Sequence, residues 1–128
     1  MKLTYPAVFH HEDGAYWVEF PDLPGCNSFG DTAEETFRSA QEALEGYALT
    51  LLESGEKLPS PSDISEIKTD GTTFTSFVQT DLSAYLNNSK AVKKTLTIPE
   101  WLNKQAVASG INFSKVLQDA LIKQLNML

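Results

Sequence analysis

The amino-terminal half of this 128-residue sequence carries acidic side chains of the kind that hold Mg²⁺ in nucleases, and two histidines of a type that can ligate a metal. The carboxylates fall on predicted turns and loops rather than on one strand: Glu12, Glu19, Asp22 and Asp31. His10 and His11 are adjacent, so their side chains point to opposite faces, and we interpret them as ordinary turn residues. Neither a nucleophile with a neighbouring base nor a phosphate-binding loop occurs. The sequence therefore predicts no catalytic site, no metal site and no cofactor.

A second set of polar side chains alternates along a short segment near the carboxyl end. Lys93, Thr95 and Thr97 are separated by single residues and would share one face of a β-strand. A lysine can donate hydrogen bonds to guanine O6 and N7, whereas a threonine hydroxyl can bond either kind of base edge and its methyl group can contact thymine. This spacing predicts that the three side chains read base edges in the major groove of DNA.

Two helices are predicted to follow this strand. Pro99 ends the strand and suits the first turn of a helix, Gly110 closes that helix, and Asn112 is a good N-cap for the next one. A lone strand with one polar face is unstable, so it needs the same strand of a second chain as its partner. We therefore expect a homodimer, with a tetramer left open. The residues expected in the dimer core are Leu96, Ile98, Trp101, Leu117 and Leu121.

The start of the second helix is the expected phosphate contact. Its free N–H groups and positive dipole end attract phosphate, so we expect Asn112, Phe113 and Ser114 to bind the DNA backbone. The order of strand, proline, glycine and helix start resembles the ribbon-helix-helix repressors. Lys94 departs from that family, whose strands usually carry an apolar residue there, and threonines replace stronger readers such as Arg, Asn or Gln. These departures imply that DNA affinity depends on DNA shape, on phosphate contacts or on several copies of the protein bound together. The alternative is that the segment is a dimerisation arm that does not bind DNA.

The first 86 residues predict a small sheet covered by one helix. Alternating apolar residues and turn signals indicate strands, the first two joined by a hairpin at Asp13-Gly14 and the last with a bulge or an edge position. These strands are predicted at 3–9, 15–20, 26–30 and 72–81. Thr32 and Glu35 form a capping box, and one apolar stripe continues from there to Gly55. The fold class is therefore α+β, with one domain at 1–86 and the carboxyl-terminal module at 87–128.

The charge is divided unevenly along the chain. Residues 1–88 carry four cationic and fifteen acidic side chains, a net charge of −11, whereas residues 89–128 carry six lysines and two acidic residues, a net charge of +4. An acidic body with a basic tail indicates two partners of opposite charge, one of them nucleic acid. The single Cys26 and the absence of a long apolar run predict a cytoplasmic protein without a disulfide or a membrane segment.

The amino-terminal motifs resemble the HicB family of bacterial antitoxins. These are FPDLPGC from Phe20, GDT from Gly30 and EAL from Glu42, which are specific as a set. The resemblance implies a small domain like a reduced ribonuclease H fold that binds and blocks a HicA-like toxin, a small basic RNA-cleaving protein. It also implies that members with a DNA-binding tail repress their own operon by binding operator DNA. The expected toxin contacts are Trp17, Asp22, Asp31 and Glu34, with helix capping and surface solvation as the alternative role of the carboxylates.

The sequence also leaves two other functions open. A free-standing transcriptional regulator could use a pocket in the sheet-and-helix domain to sense a small ligand. A nuclease of ribonuclease H type would need several carboxylates around Mg²⁺, but no predicted strand carries the central one.

Overall fold

The computed structural model describes residues 1–125 and divides the chain into two compact units. One unit is Lys2–Asn87, and the other comprises the residues from Asn88 onward together with Met1. The boundary lies one residue beyond the predicted one. The elements of the first unit are β1 (Lys2–Glu12), β2 (Ala15–Glu19), β3 (Asn27–Gly30), α1 (Ala33–Glu53), a 3₁₀ turn (Ile64–Glu66), β4 (Thr73–Asp81) and α2 (Ser83–Asn87).

The sheet of this unit has the order β3-β2-β1-β4 and every neighbouring pair is antiparallel. Pro6 lies in the central strand β1, where a missing N–H would normally interrupt the ladder. The pairing of β1 with β2 stops at Val8 and Glu19, whereas the pairing with β4 runs on past Pro6. The proline is tolerated because its nitrogen falls on the side where the β1–β2 ladder has already ended.

The hairpin between β1 and β2 turns at the predicted dipeptide. Asp13 and Gly14 both have positive φ angles, 51° and 77°, which matches the two-residue turn that follows the twist of the strands. The interpretation of His10 and His11 as turn residues was wrong, because β1 continues through them to Glu12. Alternation still sends the two imidazoles to opposite faces of the sheet, where each stacks on a different aromatic ring of β2.

Helix α1 begins and ends where the sequence predicts. Thr32 is the N-cap, and its hydroxyl accepts a hydrogen bond from the Glu35 N–H at 3.1 Å. The Glu35 carboxylate accepts from the Asp31 N–H at 3.2 Å, one residue before the cap nitrogen that a capping box predicts. At the other end Gly55 has φ 74°, and its N–H and that of Glu56 donate back to carbonyls of the last turn.

The apolar face of α1 packs on one face of the sheet. The core consists of buried residues of β1, β2, β4, the β2–β3 loop and α1: Tyr5, Ala7, Phe9, Val18, Phe20, Leu23, Cys26, Ala40, Leu44 and Val78. The expected alternation of β1 and the expected stripe of α1 are therefore confirmed. Burial of this apolar area is the main favourable term in the stability of the unit.

The last strand, β4, is an edge strand with an unbroken register. Its pairing with β1 runs from Thr73 to Asp81 without an inserted residue, so the predicted edge position is correct and the bulge is absent. Phe74 lies on the core face and stacks on Phe9 with 5.0 Å between ring centroids. Phe77 faces the opposite side, which explains why the two phenylalanines do not alternate strictly.

The second unit contains α3 (Glu100–Ala108) and α4 (Phe113–Gln124). Gly110, with φ 68°, ends α3, and the N–H groups of Gly110 and Ile111 donate to carbonyls of its last turn. The Asn112 side chain caps α4 by accepting from the Lys115 N–H at 3.1 Å. Residues 88–99 form no helix or strand within the single chain. The segment 93–99, which the sequence predicts as a strand, has no pairing partner within one chain. Its pairing with the same segment of a second chain stays a prediction.

No helix in the described part of the chain is both long enough and apolar enough to cross a membrane.

Candidate partner-binding sites

A row of aromatic rings crosses the sheet face that points away from α1. The strand register places His10, Trp17 and Phe29 side by side on β1, β2 and β3. The rings of His10 and Trp17 stack with 3.7 Å between centroids, and His10 Nε2 lies 3.5 Å from a Glu19 carboxylate oxygen. Trp17 is half-buried in this row, whereas Phe29 at its end is 79% exposed.

A shallow groove, the β3 groove, lies beside Phe29 where the edge of the sheet meets the first turns of α1. Its volume is about 480 Å³, and its lining residues are Phe29, Gly30, Asp31, Glu35, Arg38, Ser39 and Glu42. Three carboxylates and one guanidinium surround it, so its lining is acidic. Gly30 brings strand and helix together, because a Cβ there would lie 2.7 Å from both the nitrogen and the hydroxyl oxygen of Thr36.

The four residues predicted to contact a toxin do not form one cluster. Trp17 lies on β2 in the middle of the aromatic row, and Asp31 lines the β3 groove. Glu34 is exposed in the first turn of α1. Asp22 lies beyond the other end of β3, a strand of four residues whose first and last Cα atoms are about 10 Å apart. Sequence reasoning missed Phe29, Arg38 and Glu42, because the β2–β3 register and the packing of α1 against β3 bring them to the same groove.

The Asp22 carboxylate has a structural role. It accepts hydrogen bonds from the Ser62 N–H, at 2.9 Å, and from the Ser62 hydroxyl, and so ties the segment after α1 to the β2–β3 loop. The Tyr5 hydroxyl donates to the Pro59 carbonyl in the same segment. Burial raises the pKa of Tyr5 above its ordinary value, and the negative charge of Asp22 raises it further.

A second groove lies between α1 and the loop before β3, with a volume of about 390 Å³. Gly46 and Tyr47 line one side, and Cys26 lines the other. Burial raises the pKa of the Cys26 thiol to about 11, so the thiolate is scarce near neutral pH. The Tyr47 hydroxyl donates to the Pro24 carbonyl and holds the loop against the helix. Within residues 1–125, no three His, Cys, Asp or Glu side chains converge as metal ligands.

The carboxyl-terminal unit exposes both its predicted DNA-reading face and its predicted dimer core. Lys93, Thr95 and Thr97 are exposed, as are Asn112, Phe113 and Ser114 at the start of α4. Several residues of the predicted core are exposed by large fractions: 60% for Leu96, 45% for Ile98, 66% for Trp101 and 51% for Leu121. Leu117 is half-buried, and Ala106 is the one buried residue in the helices of the unit's described part.

Known proteins resemble half or more of this chain in sequence. An uncharacterized 14.9 kDa protein of Haemophilus phage HP1 is 31% identical over 102 residues, 78% of this chain and 76% of that protein. Antitoxin HicB 2 of Photorhabdus laumondii subsp. laumondii is 35% identical over 65 residues, which cover 51% of this chain and 47% of the antitoxin. This match therefore spans about half of that antitoxin's length.

Solved structures resemble nearly the whole chain. A chain of a toxin–antitoxin complex from Streptococcus pneumoniae has 34% identity and a TM-score of 0.62, covering 97% of this chain and 99% of that one. The antitoxin HicB of Burkholderia pseudomallei has 26% identity and a TM-score of 0.60, covering 96% of this chain and 98% of its own. The family described as HicB_like antitoxin of bacterial toxin-antitoxin system matches residues 5–120. The chain belongs to this HicB-like antitoxin family.

Proposed function

We propose that this antitoxin binds and neutralises a small, basic, RNA-cleaving toxin of the HicA type through its amino-terminal unit. We further propose that it represses its own operon through a carboxyl-terminal ribbon-helix-helix dimer. In this proposal the amino-terminal unit is a reduced ribonuclease H-like scaffold that binds and does not cleave. Its relatives are described as antitoxins, which supports a binding role.

The charge of the amino-terminal unit is the observation that carries the toxin half of the proposal. A protein that cleaves RNA presents a cationic surface to phosphates, and a body with a net charge of −11 is attracted to such a surface. The acidic β3 groove offers a contact where that charge is concentrated. A structurally similar chain comes from a toxin–antitoxin complex.

The exposed apolar residues of the carboxyl-terminal unit support the dimer. Leu96 and Ile98 precede two helices whose apolar side chains also stay largely exposed, so the unit has almost no core of its own. Pairing with a second copy would bury this surface and give the segment 93–99 its missing strand partner. The opposite face of that strand, with Lys93, Thr95 and Thr97, would then be free for the major groove.

The toxin half is tested with the product of the adjacent reading frame. The two proteins are co-expressed with a tag on the toxin only and purified at moderate salt. We expect a stoichiometric complex that no longer cleaves RNA, because the acidic unit occupies the phosphate-binding surface. A neighbouring product that is acidic, or that does not bind, would refute the toxin half of the proposal.

The DNA half is tested on the promoter region upstream of the operon. The double substitution Thr95→Ala and Thr97→Ala removes hydroxyl and methyl contacts to base edges, so we expect loss of specific binding in gel-shift assays. Sedimentation should still show dimers. Lys94→Ala, on the other face of the predicted strand, is the matched control for Lys93→Ala and should reduce operator affinity less. Unchanged operator affinity in the double threonine variant would rule out base reading by this face.

A further inference from the structure

We propose that a basic segment of the toxin docks along the open edge of β3, where it covers the exposed Phe29 on one side of the strand and places a lysine or arginine side chain against the carboxylates of Glu35 and Glu42 in the β3 groove on the other. This inference rests on the proposed toxin-binding function. It adds the place of the contact, an aromatic anchor and the charge of the docked side chain.

The exposure of Phe29 is the first observation that supports this contact. Its ring is 79% exposed at the end of the row formed with His10 and Trp17. Removing an aromatic ring from water is favourable, and a cation placed over its face gains further attraction from the ring electrons. The exposed ring of Phe29 is therefore suited to the methylene groups of a long cationic side chain in the docked segment.

The backbone of Phe29 is also free to pair. The Phe20 N–H donates a hydrogen bond to the Cys26 carbonyl, so the backbone of Cys26 faces β2. In the strand that follows, every second residue directs its N–H and C=O groups toward β2 in the same way. Gly30 and Ser28 then direct their N–H and C=O groups toward β2, so those of Phe29 point to the open edge of the sheet. An extended partner segment can add hydrogen bonds to this edge, which places its side chains over the groove.

The charge around the groove selects the partner. Asp31, Glu35 and Glu42 outnumber the single cation Arg38, and Glu34 adds a further carboxylate in the same turn of α1. A nucleic acid would meet repulsion here, and so would a second copy of a unit with a net charge of −11. A basic protein segment is the partner that this lining attracts.

The groove is held in place before any partner arrives. The close approach of Gly30 to Thr36 fixes the end of β3 against α1, and the Glu35 carboxylate is oriented by the Asp31 N–H. Thr36 is fully buried, and its hydroxyl donates to the Thr32 carbonyl at 2.8 Å. A preformed site loses less conformational freedom on binding, which favours a tight contact.

The test measures the affinity of the full-length chain for the product of the adjacent reading frame by titration calorimetry. Phe29→Ala has a matched control in Phe77→Ala, an exposed phenylalanine at the opposite edge of the same sheet. Glu42→Lys has a control in Glu66→Lys, an exposed carboxylate in the 3₁₀ turn. We expect each groove variant to weaken binding by roughly tenfold or more, as for a central interface residue, and each control by less than about threefold. Circular dichroism checks that all four variants fold.

The outcomes separate the site from the function. If the wild-type chain does not bind the neighbouring product, the proposed toxin binding and this inference both fail. If the wild-type chain binds and the groove variants bind equally well, the docking site is wrong while the toxin function stands. Loss of affinity in Phe77→Ala and Glu66→Lys alone would move the contact to the β4 edge and would also overturn the proposal.

Discussion

Replacing Gly30 with alanine should destabilise the amino-terminal unit, because the strand and the helix approach too closely for a side chain. A Cβ at this position would lie 2.7 Å from the nitrogen and 2.7 Å from the hydroxyl oxygen of Thr36. Thr36 is fully buried, and its N–H donates to the Thr32 carbonyl at 3.0 Å. The clash therefore has to move β3 or the first turn of α1. Forced overpacking of this kind costs about 1–3 kcal/mol.

Gly46 provides a matched control for the same change. It lies inside α1, and a Cβ there would have no neighbour within 4 Å. Glycine in a helix interior is less stable than alanine by roughly 0.5–1 kcal/mol, so Gly46→Ala should raise the free energy of unfolding by up to that amount. The two glycine-to-alanine variants should thus shift stability in opposite directions.

Urea unfolding followed by the fluorescence of Trp17 measures both effects. Trp101 is replaced with phenylalanine in every sample, so that the signal comes from the amino-terminal unit alone. In thermal unfolding, each kcal/mol corresponds to about 4–8 °C for a unit of this size. A Gly30→Ala variant as stable as the wild type would refute the close contact between β3 and α1, and with it the fixed shape of the β3 groove.

The amino-terminal unit should also respond to changes at its helix cap and its core, and its cysteine should be protected. Thr32→Ala removes the cap acceptor for the Glu35 N–H and should lower the free energy of unfolding by about 1 kcal/mol in the same urea titration. A decrease of less than a few tenths of a kcal/mol would contradict the capping role of Thr32. Leu44→Ala truncates a fully buried side chain and should cost about 2–5 kcal/mol; a mild effect would mean that α1 does not pack as described. The Cys26 thiol, with its pKa raised from 9.0 to about 11, should react slowly with a disulfide reagent at pH 8 until the chain unfolds. Fast reaction of the folded chain would refute the burial of Cys26. Because the thiol ionises at a lower pH in the unfolded chain, the contribution of Cys26 to the free energy of unfolding is present below pH 9 and is lost as the pH rises toward 11.

The fold of the amino-terminal unit could be predicted largely because its signals are local. Asp13-Gly14 determines a hairpin by its own conformational preference, and Thr32 and Gly55 set the ends of α1 through hydrogen bonds within a few residues. The error at His10 and His11 has a local cause too. The polar residues at the end of β1 resemble a loop, but pairing with Trp17 and Tyr16 on β2 continues the strand.

The candidate site was less predictable because it depends on long-range pairing. Phe29 belongs with Trp17 only through the β2–β3 register, and Glu42 reaches the groove only because α1 packs beneath β3. The sequence predicts Asp22 and Asp31 in one toxin contact, whereas in the structure the Asp22 carboxylate accepts a hydrogen bond from the Ser62 N–H. The predicted strand at 93–99 depends on a second chain, which no property of one chain can supply.

We propose that this antitoxin neutralises a basic toxin with its acidic amino-terminal unit. The most direct measurement is the rate at which the product of the adjacent reading frame cleaves RNA, recorded while the full-length chain is titrated in. We predict that cleavage falls to background at a stoichiometric amount of the chain, and that charge reversal at Glu42 shifts the inhibition curve to higher concentration. Cleavage that persists at a large excess of the wild-type chain would contradict the claim.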